Sequence, residues 1–453
     1  MNTEAKKNVL LISLDDAVAF WKYKSLFGEV LQTPNLDRIC GQSTSFHSAY
    51  CQAPVCSPSR ASFMSGLSPH QTGVTHSDPH YFDKVASEKM WPSRLKHHGY
   101  HCVPGGKVMR GYRALPQEVH EAIYSTPYSD SHGRFSLARR KSRYANGKVP
   151  DHMEFGGHRG GRATTTEDAE HNLYDNQVAE DAISFLKTYD GQVPFYREVG
   201  FQSPHGPWVT PGQFKEMYRF KAIRQPKDWA RGFDVETPPT DLVRENIDSS
   251  SQRFWRQSVR NYFSAISYAD EQIGRVWDAL KTSSHAENTL VVILSDHGMH
   301  LGERNWFGKS TLWEQVVNVP LIIHDPAQPV GQVVSDPVAL IDVGPTVLDY
   351  LGLPPIAASP GRSLLPQMRW ERDPDRAVPS FFYDHAAMRK GKYRFIRYGN
   401  GSEQFFDLSR DWWQTQGLGA NHPAYEQMRQ AFDACCRDYG LEWQSDASHL
   451  AQA

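Results

Sequence analysis

Cys56 opens the stretch Cys-Ser-Pro-Ser-Arg, and the residues around it indicate a site for an anion. Pro58 fits the first turn of a helix, where a missing N–H costs nothing. Cys56 would then lie at the N-terminus of that helix, where backbone N–H groups and the helix dipole favour negative charge. Arg60, one turn further on, adds a permanently charged fork that suits tetrahedral oxyanions. The stretch therefore predicts a site for sulfate or phosphate esters.

The same residues leave three interpretations of Cys56 open. It can be a buried thiol, a thiol nucleophile, or the raw material for another chemical group. A cysteine that only fills a core needs neither Pro58 nor Arg60 beside it. A helix N-terminus, however, stabilises a thiolate as well as a bound anion. These residues alone do not separate the last two interpretations.

Residues suited to metal binding follow two buried apolar runs, as the pairs Asp15-Asp16 and Asp296-His297. In open parallel sheets, ligands bind beyond the carboxyl ends of the strands, so the two pairs can meet at one sheet edge. Carboxylate-rich sites suit hard cations such as calcium or magnesium. A doubled aspartate also serves as a helix cap or turn. What favours a metal site is that a second acidic pair, Asp296-His297, follows another buried strand.

Apolar runs and amphipathic stretches alternate along the chain. The runs 9–14, 289–294 and 319–324 have the continuous apolar character of strands buried on both faces. Helical patterns lie at 175–186 and 262–280. The alternation predicts an α/β fold in which helices flank a central, mostly parallel sheet.

The composition changes twice along the chain. Residues 130–172 are rich in glycine and arginine with little periodicity, which predicts a solvated insertion, a lid or a subunit contact. From about residue 366, short alternating runs with turns at KGK and GNGS predict antiparallel strands, followed by a helix at 423–439. We therefore expect a catalytic α/β domain at 1–365 and a smaller C-terminal α+β subdomain at 366–453. The polar stretch 225–256 is expected at the surface.

Bulk properties exclude several classes of protein. Of the 453 residues, 39% are hydrophobic, which is enough for a large core. The net charge of −2 gives no basic field, so nucleic acid is not an expected partner. Six cysteines in a chain of this size do not make a disulfide framework. The N-terminus shows neither a signal-peptide pattern nor an apolar run that would span a bilayer, so we expect a cytoplasmic enzyme without membrane contact.

Cys-Ser-Pro-Ser-Arg has the C-x-P-S-R form of the sulfatase family, in which the cysteine is oxidised after synthesis to formylglycine, an aldehyde. Further segments resemble the family in the same order: NVLLISLDD, TPNLDRI, GYHCVPGGKV, FQSPHGPW, YFSAISYADEQIGRVWDAL, TLVVILSDHGMHLGERNWFGKSTLWE, VPLII, IDVGPTVLDYLGLP and QFFDLSRD. They extend from residue 8 to about residue 411. The iduronate-sulfatase-like and choline-sulfatase-like branches look closest. The resemblance implies an alkaline-phosphatase-like fold and hydrolysis of a sulfate ester.

By this resemblance one divalent cation would be held by Asp15, Asp16, modified Cys56, Asp296 and His297. Calcium is the expected ion, with magnesium and manganese as alternatives. The aldehyde would be hydrated to a geminal diol, and one hydroxyl would attack sulfur to form a covalent sulfo-enzyme. Deprotonation of the second hydroxyl would re-form the aldehyde and expel sulfate. Cysteine is then raw material, and a formylglycine-generating maturation enzyme is an implied partner.

The resemblance also implies roles for four further residues. Arg60 would steady the aldehyde hydrate and the oxyanion, and Lys107 would touch both diol and sulfate. Lys309 would bind the ester and help the leaving oxygen depart. His205 would be the acid for the leaving group. Outside this context the lysines would count as solvated background, and His205 as a residue that stiffens a turn.

One position departs from the family pattern. The family commonly has a histidine a few residues after the equivalent of Lys107, where this chain has Met109 and Arg110. Arg110 can supply a hydrogen bond, but a guanidinium does not act as a general base near neutral pH. We therefore expect Arg110 to bind substrate, as in a subgroup acting on a doubly charged ester. His300 is a second candidate for substrate contact and a candidate for the base.

Two rival functions remain beside hydrolysis of a small-molecule sulfate ester. Phosphonate monoester and phosphodiester hydrolases of the same superfamily share this kind of site, because the needs of the oxyanion and leaving group are alike. A non-catalytic relative that binds an anion and a metal is the second rival, and the missing histidine is its support. The sequence is compatible with a homo-oligomer and does not assign the oligomeric state.

Overall fold

The strands that the structure describes form four sheets. The computed structural model describes residues 7–78, 80–109, 115–128, 173–206, 208–233 and 252–443. The strands in these ranges are β1 Asn8–Asp15, β2 Thr44–Phe46, β3 Ala49–Tyr50, β4 His101–Val103, β5 Phe195–Pro204, β6 Thr289–Ser295, β7 His300–Leu301, β8 Phe307–Gly308, β9 Asn318–Val319, β10 Leu321–His324, β11 Gln332–Val334, β12 Val338–Ala339, β13 Ala377–Phe382, β14 His385–Lys390, β15 Tyr393–Arg397 and β16 Glu403–Asp407. The α-helices are α1 Phe20–Tyr23, α2 Pro34–Cys40, α3 Cys56–Ser65, α4 Pro69–Thr72, α5 Trp91–His97, α6 Gln117–Ile123, α7 Tyr174–Thr188, α8 Gly212–Glu216, α9 Gln252–Lys281, α10 Glu314–Val317, α11 Val343–Tyr350, α12 Leu365–Met368 and α13 Tyr425–Asp438.

Within the described ranges, seven strands form the central sheet, in the order β11-β2-β10-β6-β1-β5-β4. β1 pairs in parallel with β5 and with β6, and the pairs β4/β5 and β11/β2 are also parallel. Among the described strands of this sheet, β10 alone runs antiparallel to its neighbours, β6 and β2. The prediction of a mostly parallel central sheet is confirmed.

The two faces of the central sheet bury two different apolar clusters. Along β1, Val9 and Leu11 belong to one cluster, whereas Leu10 and Ile12 belong to the other. The alternation arises because successive side chains of a strand point to opposite faces of its sheet. All eight residues of β1 are buried. Burial on both faces is the reason that β1 has a continuous apolar sequence rather than an alternating one.

Long helices cover the cluster that contains Leu10. α9 has 30 residues and α7 has 15, and both contribute side chains to this cluster. The helices predicted at 175–186 and 262–280 lie within them. The prediction of one continuous strand at 319–324 was wrong in one respect, because Pro320 separates β9 from β10. Proline has no N–H to donate to a strand ladder.

The last four strands form an antiparallel sheet in the order β13-β14-β15-β16. α13 packs against it, and the ring of Phe432 lies 5.1 Å from that of Phe395 on β15. The predicted turn at KGK is present, with Gly391 in a left-handed conformation (φ 52°). The smaller C-terminal antiparallel sheet is thereby confirmed. The division into domains 1–365 and 366–453 stays a prediction.

One predicted segment, the insertion at 130–172, lies wholly outside the described residues. The polar stretch 225–256 lies partly outside them, at residues 234–251. Within the described part of the chain, no helix combines the length and the apolar character that crossing a membrane requires.

Glu198, on β5, gives the fold a predictable pH dependence. Its buried carboxylate accepts hydrogen bonds of 2.9 Å from the hydroxyls of Tyr124 and Tyr196. Burial raises the pKa of Glu198 from 4.5 to about 7, and the tyrosine hydroxyls offset only part of that shift. The folded chain therefore holds this proton more tightly than the unfolded chain does. The resulting stabilisation is full below about pH 4.5 and is lost as the pH rises through about 7.

Glu198→Gln is expected to flatten this loss of stability. The amide keeps partners for both tyrosines and has no proton to lose, so up to about 3 kcal/mol of pH-dependent destabilisation should disappear. Urea unfolding at about pH 5 and about pH 8 measures the difference. Glu426→Gln is the control, because that side chain is 62% exposed. A Glu198→Gln variant that loses as much stability between the two pH values as the unsubstituted protein would contradict the prediction.

Candidate active site

The acidic residues meet at the carboxyl ends of two neighbouring strands. β1 and β6 pair in parallel with Leu14 beside Ser295, so the residues that follow leave the sheet at the same edge. Asp16 has a left-handed backbone conformation (φ 67°), and its N–H donates to Oδ1 of Asp296 over 3.2 Å. The structure thus brings Asp15, Asp16 and Asp296 together.

Cys56 is the first residue of α3 and faces these carboxylates. Its Sγ lies 3.6 Å from Oδ1 of Asp15 and 3.3 Å from Nε2 of His297. Nζ of Lys309 lies 3.2 Å from the same sulfur. The helix begins at Cys56, where the position of Pro58 predicts its first turn. Cys56 is therefore at a helix N-terminus and in contact with both carboxylate and ammonium groups.

Arg60 lies one turn into α3 and is buried. Its Nε and Nη2 each lie 3.0 Å from Oδ2 of Asp296. Nη1 donates to the backbone carbonyls of Lys107 and Val108 over 2.7 and 2.6 Å. Nη2 also lies 3.7 Å from Oδ2 of Asp15. Arg60 consequently joins the helix, both strand ends and the Lys107 segment into one unit.

Lys107 reaches the site because glycines allow two backbone segments to approach closely. The N–H of Lys107 donates to the carbonyl of Gly200 over 2.7 Å, and the N–H of Gly200 donates to that of Gly105 over 2.8 Å. A Cβ at Gly200 would lie 2.2 Å from the backbone of Lys107, so a side chain does not fit there. The ammonium of Lys107 contacts Oδ2 of Asp15.

Lys309 and His205 form the more open side of the site. Each has 23% of its side chain exposed, whereas Asp296 is fully buried. Nζ of Lys309 donates to Oδ1 of Asp16 over 2.8 Å, and Nε2 of His205 lies 3.8 Å from Oδ2 of the same residue. Nδ1 of His205 donates to the carbonyl of Gly206 over 2.6 Å. These two side chains are therefore accessible to solvent, unlike Asp296.

The electrostatics of the cluster favour an ionised Asp296 carboxylate beside a neutral Cys56 thiol. Burial raises the pKa of the Cys56 thiol to about 11, although Lys309 opposes the shift. Burial alone would also raise the pKa of Asp296, but the Arg60 guanidinium and the other cations outweigh it and hold that pKa well below its usual range. Burial lowers the pKa of His297, which favours a neutral imidazole. Unmodified Cys56 is accordingly a thiol near neutral pH rather than a thiolate.

Four of the five predicted metal ligands present converging donor atoms: Asp15, Asp16, Cys56 and His297. One donor atom from each lies within 4.8 Å of the others. The fifth, Asp296, borders them, with Oδ2 3.5 Å from Nε2 of His297. Carboxylate oxygens with one imidazole form a donor set that suits a hard divalent cation. The residues present therefore fit such an ion.

The described cluster does not include two of the predicted residues. Arg110 lies outside the described residues. His300 is fully buried, its Nδ1 contacts the carboxylate of Glu303, and its Nε2 lies 2.6 Å from Oγ1 of Thr311. Protein groups thus engage both ring nitrogens of His300. Its role as a base or in substrate contact stays a prediction without support from this geometry.

Three residues that support the site were missed by the sequence analysis. The hydroxyl of Tyr262, on α9, donates to the carbonyl of Asp16 over 2.6 Å and fixes the turn after β1. Oγ of Ser59 donates to the carbonyl of Asp296 over 2.5 Å. Gly200 is the third. Ser59 belongs to the Cys-Ser-Pro-Ser-Arg stretch, so a supporting role for it could have been predicted from that motif. Nothing in the sequence near Tyr262 distinguishes it from a core aromatic residue.

Comparison with known families identifies the class of protein. The family model described as Sulfatase matches residues 7–353, which contain the whole described site. A second model, described as N-sulphoglucosamine sulphohydrolase, C-terminal, matches residues 302–435. The chain therefore belongs to the sulfatase family and is a sulfuric ester hydrolase.

Curated relatives include both kinds of enzyme that the sequence resembles. A sulfatase of Formosa agariphila is 28% identical over 99% of this chain and 89% of its own length. The choline-sulfatase of Rhizobium meliloti is 28% identical over 96% of this chain and 90% of its own length. Human iduronate 2-sulfatase is 29% identical over 71% of this chain and 60% of its own length.

Solved structures share the fold at low sequence identity. One protein, in complex with its substrate D-glucosamine-2-N,6-O-disulfate, is similar with a TM-score of 0.70 and 20% identity, over 96% of this chain and 98% of that chain. The phosphonate monoester hydrolase of Agrobacterium radiobacter gives a TM-score of 0.71 and 19% identity, over 96% of this chain and 95% of that chain. The fold is common to both, so it does not separate sulfate from phosphonate esters.

Proposed function

We propose that this protein hydrolyses a small-molecule sulfate ester through formylglycine made from Cys56, with one divalent cation in the site. One observation carries the proposal. Cys56 starts a helix within the C-x-P-S-R stretch, and its Sγ lies within 3.6 Å of groups on Asp15, His297 and Lys309. A helix N-terminus favours the sulfate group, and carboxylates and cations surround the same atom.

The cationic side chains of the site would bind the ester oxygens. Lys107 and Lys309 each bring an ammonium to a carboxylate beside Cys56, and charge-assisted hydrogen bonds from such groups are stronger than neutral ones. Nζ of Lys309 lies 3.2 Å from Sγ of Cys56, and its side chain is partly exposed. Lys309 would therefore bind the ester and help the leaving oxygen depart. Arg60 would hold the helix start in place through Asp296.

His205 is the proposed acid for the leaving group. Its Nδ1 donates to the carbonyl of Gly206, which fixes the ring with Nε2 on the side of Asp16. In the protonated imidazole, Nε2 would then give its proton to the leaving oxygen. The His205 side chain is 23% exposed and lies at the more open side of the site, where the alcohol would depart.

The proposed metal ligands are Asp15, Asp16, Asp296 and His297, together with modified Cys56. A bound divalent cation lowers the pKa of a hydroxyl that it contacts, which is the chemistry it would supply to the formylglycine hydrate. The residues themselves would hold the ion and keep the hydrate directed at the ester. Calcium is the proposed ion, with magnesium and manganese as alternatives.

Calcium is expected to raise the melting temperature of the metal-free protein. An ion that binds the folded state alone stabilises it by about 2.7 kcal/mol at about 100 times its dissociation constant. Thermal unfolding after dialysis against EDTA, with calcium, magnesium and manganese added in turn, measures this response. Asp16→Asn should lose most of it, whereas Asp278→Asn, at a 60% exposed side chain, should retain it. The same melting temperature in EDTA and in all three ions would contradict the metal site.

A sulfate ester is expected to be hydrolysed faster than the matched phosphorus ester. The measurement is kcat/KM on an aryl sulfate and an aryl phosphonate with the same leaving group, using protein produced together with a formylglycine-generating enzyme. We expect the sulfate to be favoured by about tenfold or more. A preference for the phosphonate would support phosphonate monoester or phosphodiester hydrolysis instead. Choline sulfate and D-glucosamine-2-N,6-O-disulfate are the first natural esters to test, because one relative is a choline-sulfatase and one structural neighbour has the disulfate as its substrate.

A further inference from the structure

A buried chain of hydrogen bonds ends at Thr311, two residues after Lys309. The carboxylate of Glu303 contacts Nδ1 of His300 and accepts the N–H of Leu301 over 2.9 Å. Nε2 of His300 lies 2.6 Å from Oγ1 of Thr311. His300 and Glu303 have no exposed surface, and Thr311 is 2% exposed. The chain thus runs inside the protein from a carboxylate to a hydroxyl.

The order of donors and acceptors in this chain follows from its ends. The Glu303 carboxylate only accepts, so Nδ1 of a neutral His300 carries the proton. Nε2 is then the acceptor, and the hydroxyl of Thr311 donates to it. Glu303 thereby fixes the imidazole, and the imidazole fixes Thr311.

The backbone at Lys309 and Ser310 is also held by Trp306 and by the segment before Cys56. Nε1 of Trp306 donates to the carbonyl of Lys309 over 3.3 Å, and its ring lies so close to Gly308 that a Cβ there would be 2.6 Å away. The N–H of Ser310 donates to the carbonyl of Pro54 over 3.1 Å. Ser310 is in a left-handed conformation (φ 73°), which a non-glycine residue keeps where its surroundings impose it. The backbone around Lys309 is constrained from two directions.

We propose that His300 is a positioning residue that acts through Thr311 to hold Lys309 against Asp16 and Cys56. Thr311 comes two residues after Lys309, whose Nζ lies 2.8 Å from Oδ1 of Asp16 and 3.2 Å from Sγ of Cys56. Loss of the hydrogen bond between Thr311 and His300 would remove one of the constraints on the backbone that carries this ammonium. A misplacement of about 1 Å at a group that meets the reacting atoms lowers the rate strongly. The inference rests on the proposed function, in which Lys309 meets the ester.

Thr311→Val is the sharpest test, because valine keeps the branched shape and removes the hydroxyl. We expect kcat on an aryl sulfate to fall about tenfold, and Thr311→Ser to recover most of it. In a Lys309→Ala background, Thr311→Val should change kcat by less than about twofold, because the residue that it positions is gone. Thr346→Val is the matched control, since this buried hydroxyl bonds the carbonyl of Asp342 and the N–H of Leu364. It should lower stability and leave kcat unchanged.

Two kinetic outcomes would overturn the inference. One is an equal loss of kcat from Thr311→Val in the unsubstituted and Lys309→Ala backgrounds, and the other is an unchanged kcat. A crystal structure of Thr311→Val adds a measurement that does not depend on turnover. The Lys309 ammonium should have moved away from Asp16 and Cys56, and an unmoved ammonium overturns the inference. If the unsubstituted protein turned over no sulfate ester, the proposed function would fail, while this structural comparison would still decide whether the contact between His300 and Thr311 positions Lys309.

Discussion

Cys56→Ala is expected to lower kcat for sulfate ester hydrolysis by about 10⁴-fold or more. Alanine cannot be oxidised to the aldehyde and supplies no nucleophile, so binding and electrostatic stabilisation alone would remain. Removal of one half-buried sulfur should cost little folding stability, on the order of 1 kcal/mol. The measurement is kcat at saturating aryl sulfate, beside the urea unfolding midpoint of the same preparations. A variant that retains a tenth of the kcat would contradict the role of Cys56.

The chemistry at Cys56 also has a direct chemical readout. Trypsin releases the peptide 39–60, which contains Cys40, Cys51 and Cys56. In the mature protein, thiol alkylation should label Cys40 and Cys51, while Cys56 carries the mass of an aldehyde in place of a thiol. Cys40→Ser, on α2, is the control and should keep full activity. An active preparation in which Cys56 remains a plain thiol would refute the formylglycine mechanism.

Arg60→Met is expected to lower both stability and activity. The substitution leaves the buried carboxylate of Asp296 without its guanidinium and removes the donor to the carbonyls of Lys107 and Val108. Loss of one partner of a buried ion pair costs about 3–5 kcal/mol, because the other charge stays buried and uncompensated. Activity should fall with it, since Arg60 joins the start of α3 to both strand ends. Urea unfolding and kcat on the same variant test the two expectations.

The control for Arg60 is an ion pair on the surface. Nη1 of Arg38 lies 2.7 Å from Oδ1 of Asp278, but the two side chains are 46% and 60% exposed. Exposed pairs contribute about 0–1 kcal/mol, because water and salt screen them. Arg38→Met should therefore shift the unfolding midpoint only slightly. If the two methionine variants unfolded at the same urea concentration, burial of the Arg60 pair would not be what stabilises the site.

The central sheet and the acidic strand ends were predictable because their signals are local. A strand covered on both faces has a continuous apolar sequence, and the residue after its last position lies at the sheet edge. These two facts were enough to place Asp15 and Asp296 close together. Pro58 likewise predicted the first turn of α3, because proline is tolerated where no N–H is needed.

Contacts between distant segments were not predictable in the same way. His300 illustrates the difference, since its position near Asp296 in sequence suggested direct chemistry, whereas its ring contacts Glu303 and Thr311 inside the fold. The short spacing from His297 to His300 says nothing about which way each side chain points. Only the path of the chain between β6 and β8 determines that direction.

Local patterns were enough to predict the class of fold, the position of Cys56 at a helix start and the residue types gathered at the strand ends, because each depends on a periodicity or spacing within a few residues. The distant groups that support these residues became known only from the folded chain. Tyr262 bonds the turn at Asp16, and Gly200 admits the backbone of Lys107. Both contacts join segments far apart in the chain, and they depend on how β1, β5 and α9 are placed relative to one another. This placement is a property of the packed molecule, because it is set by the many contacts that form at once when the sheet and its helices assemble.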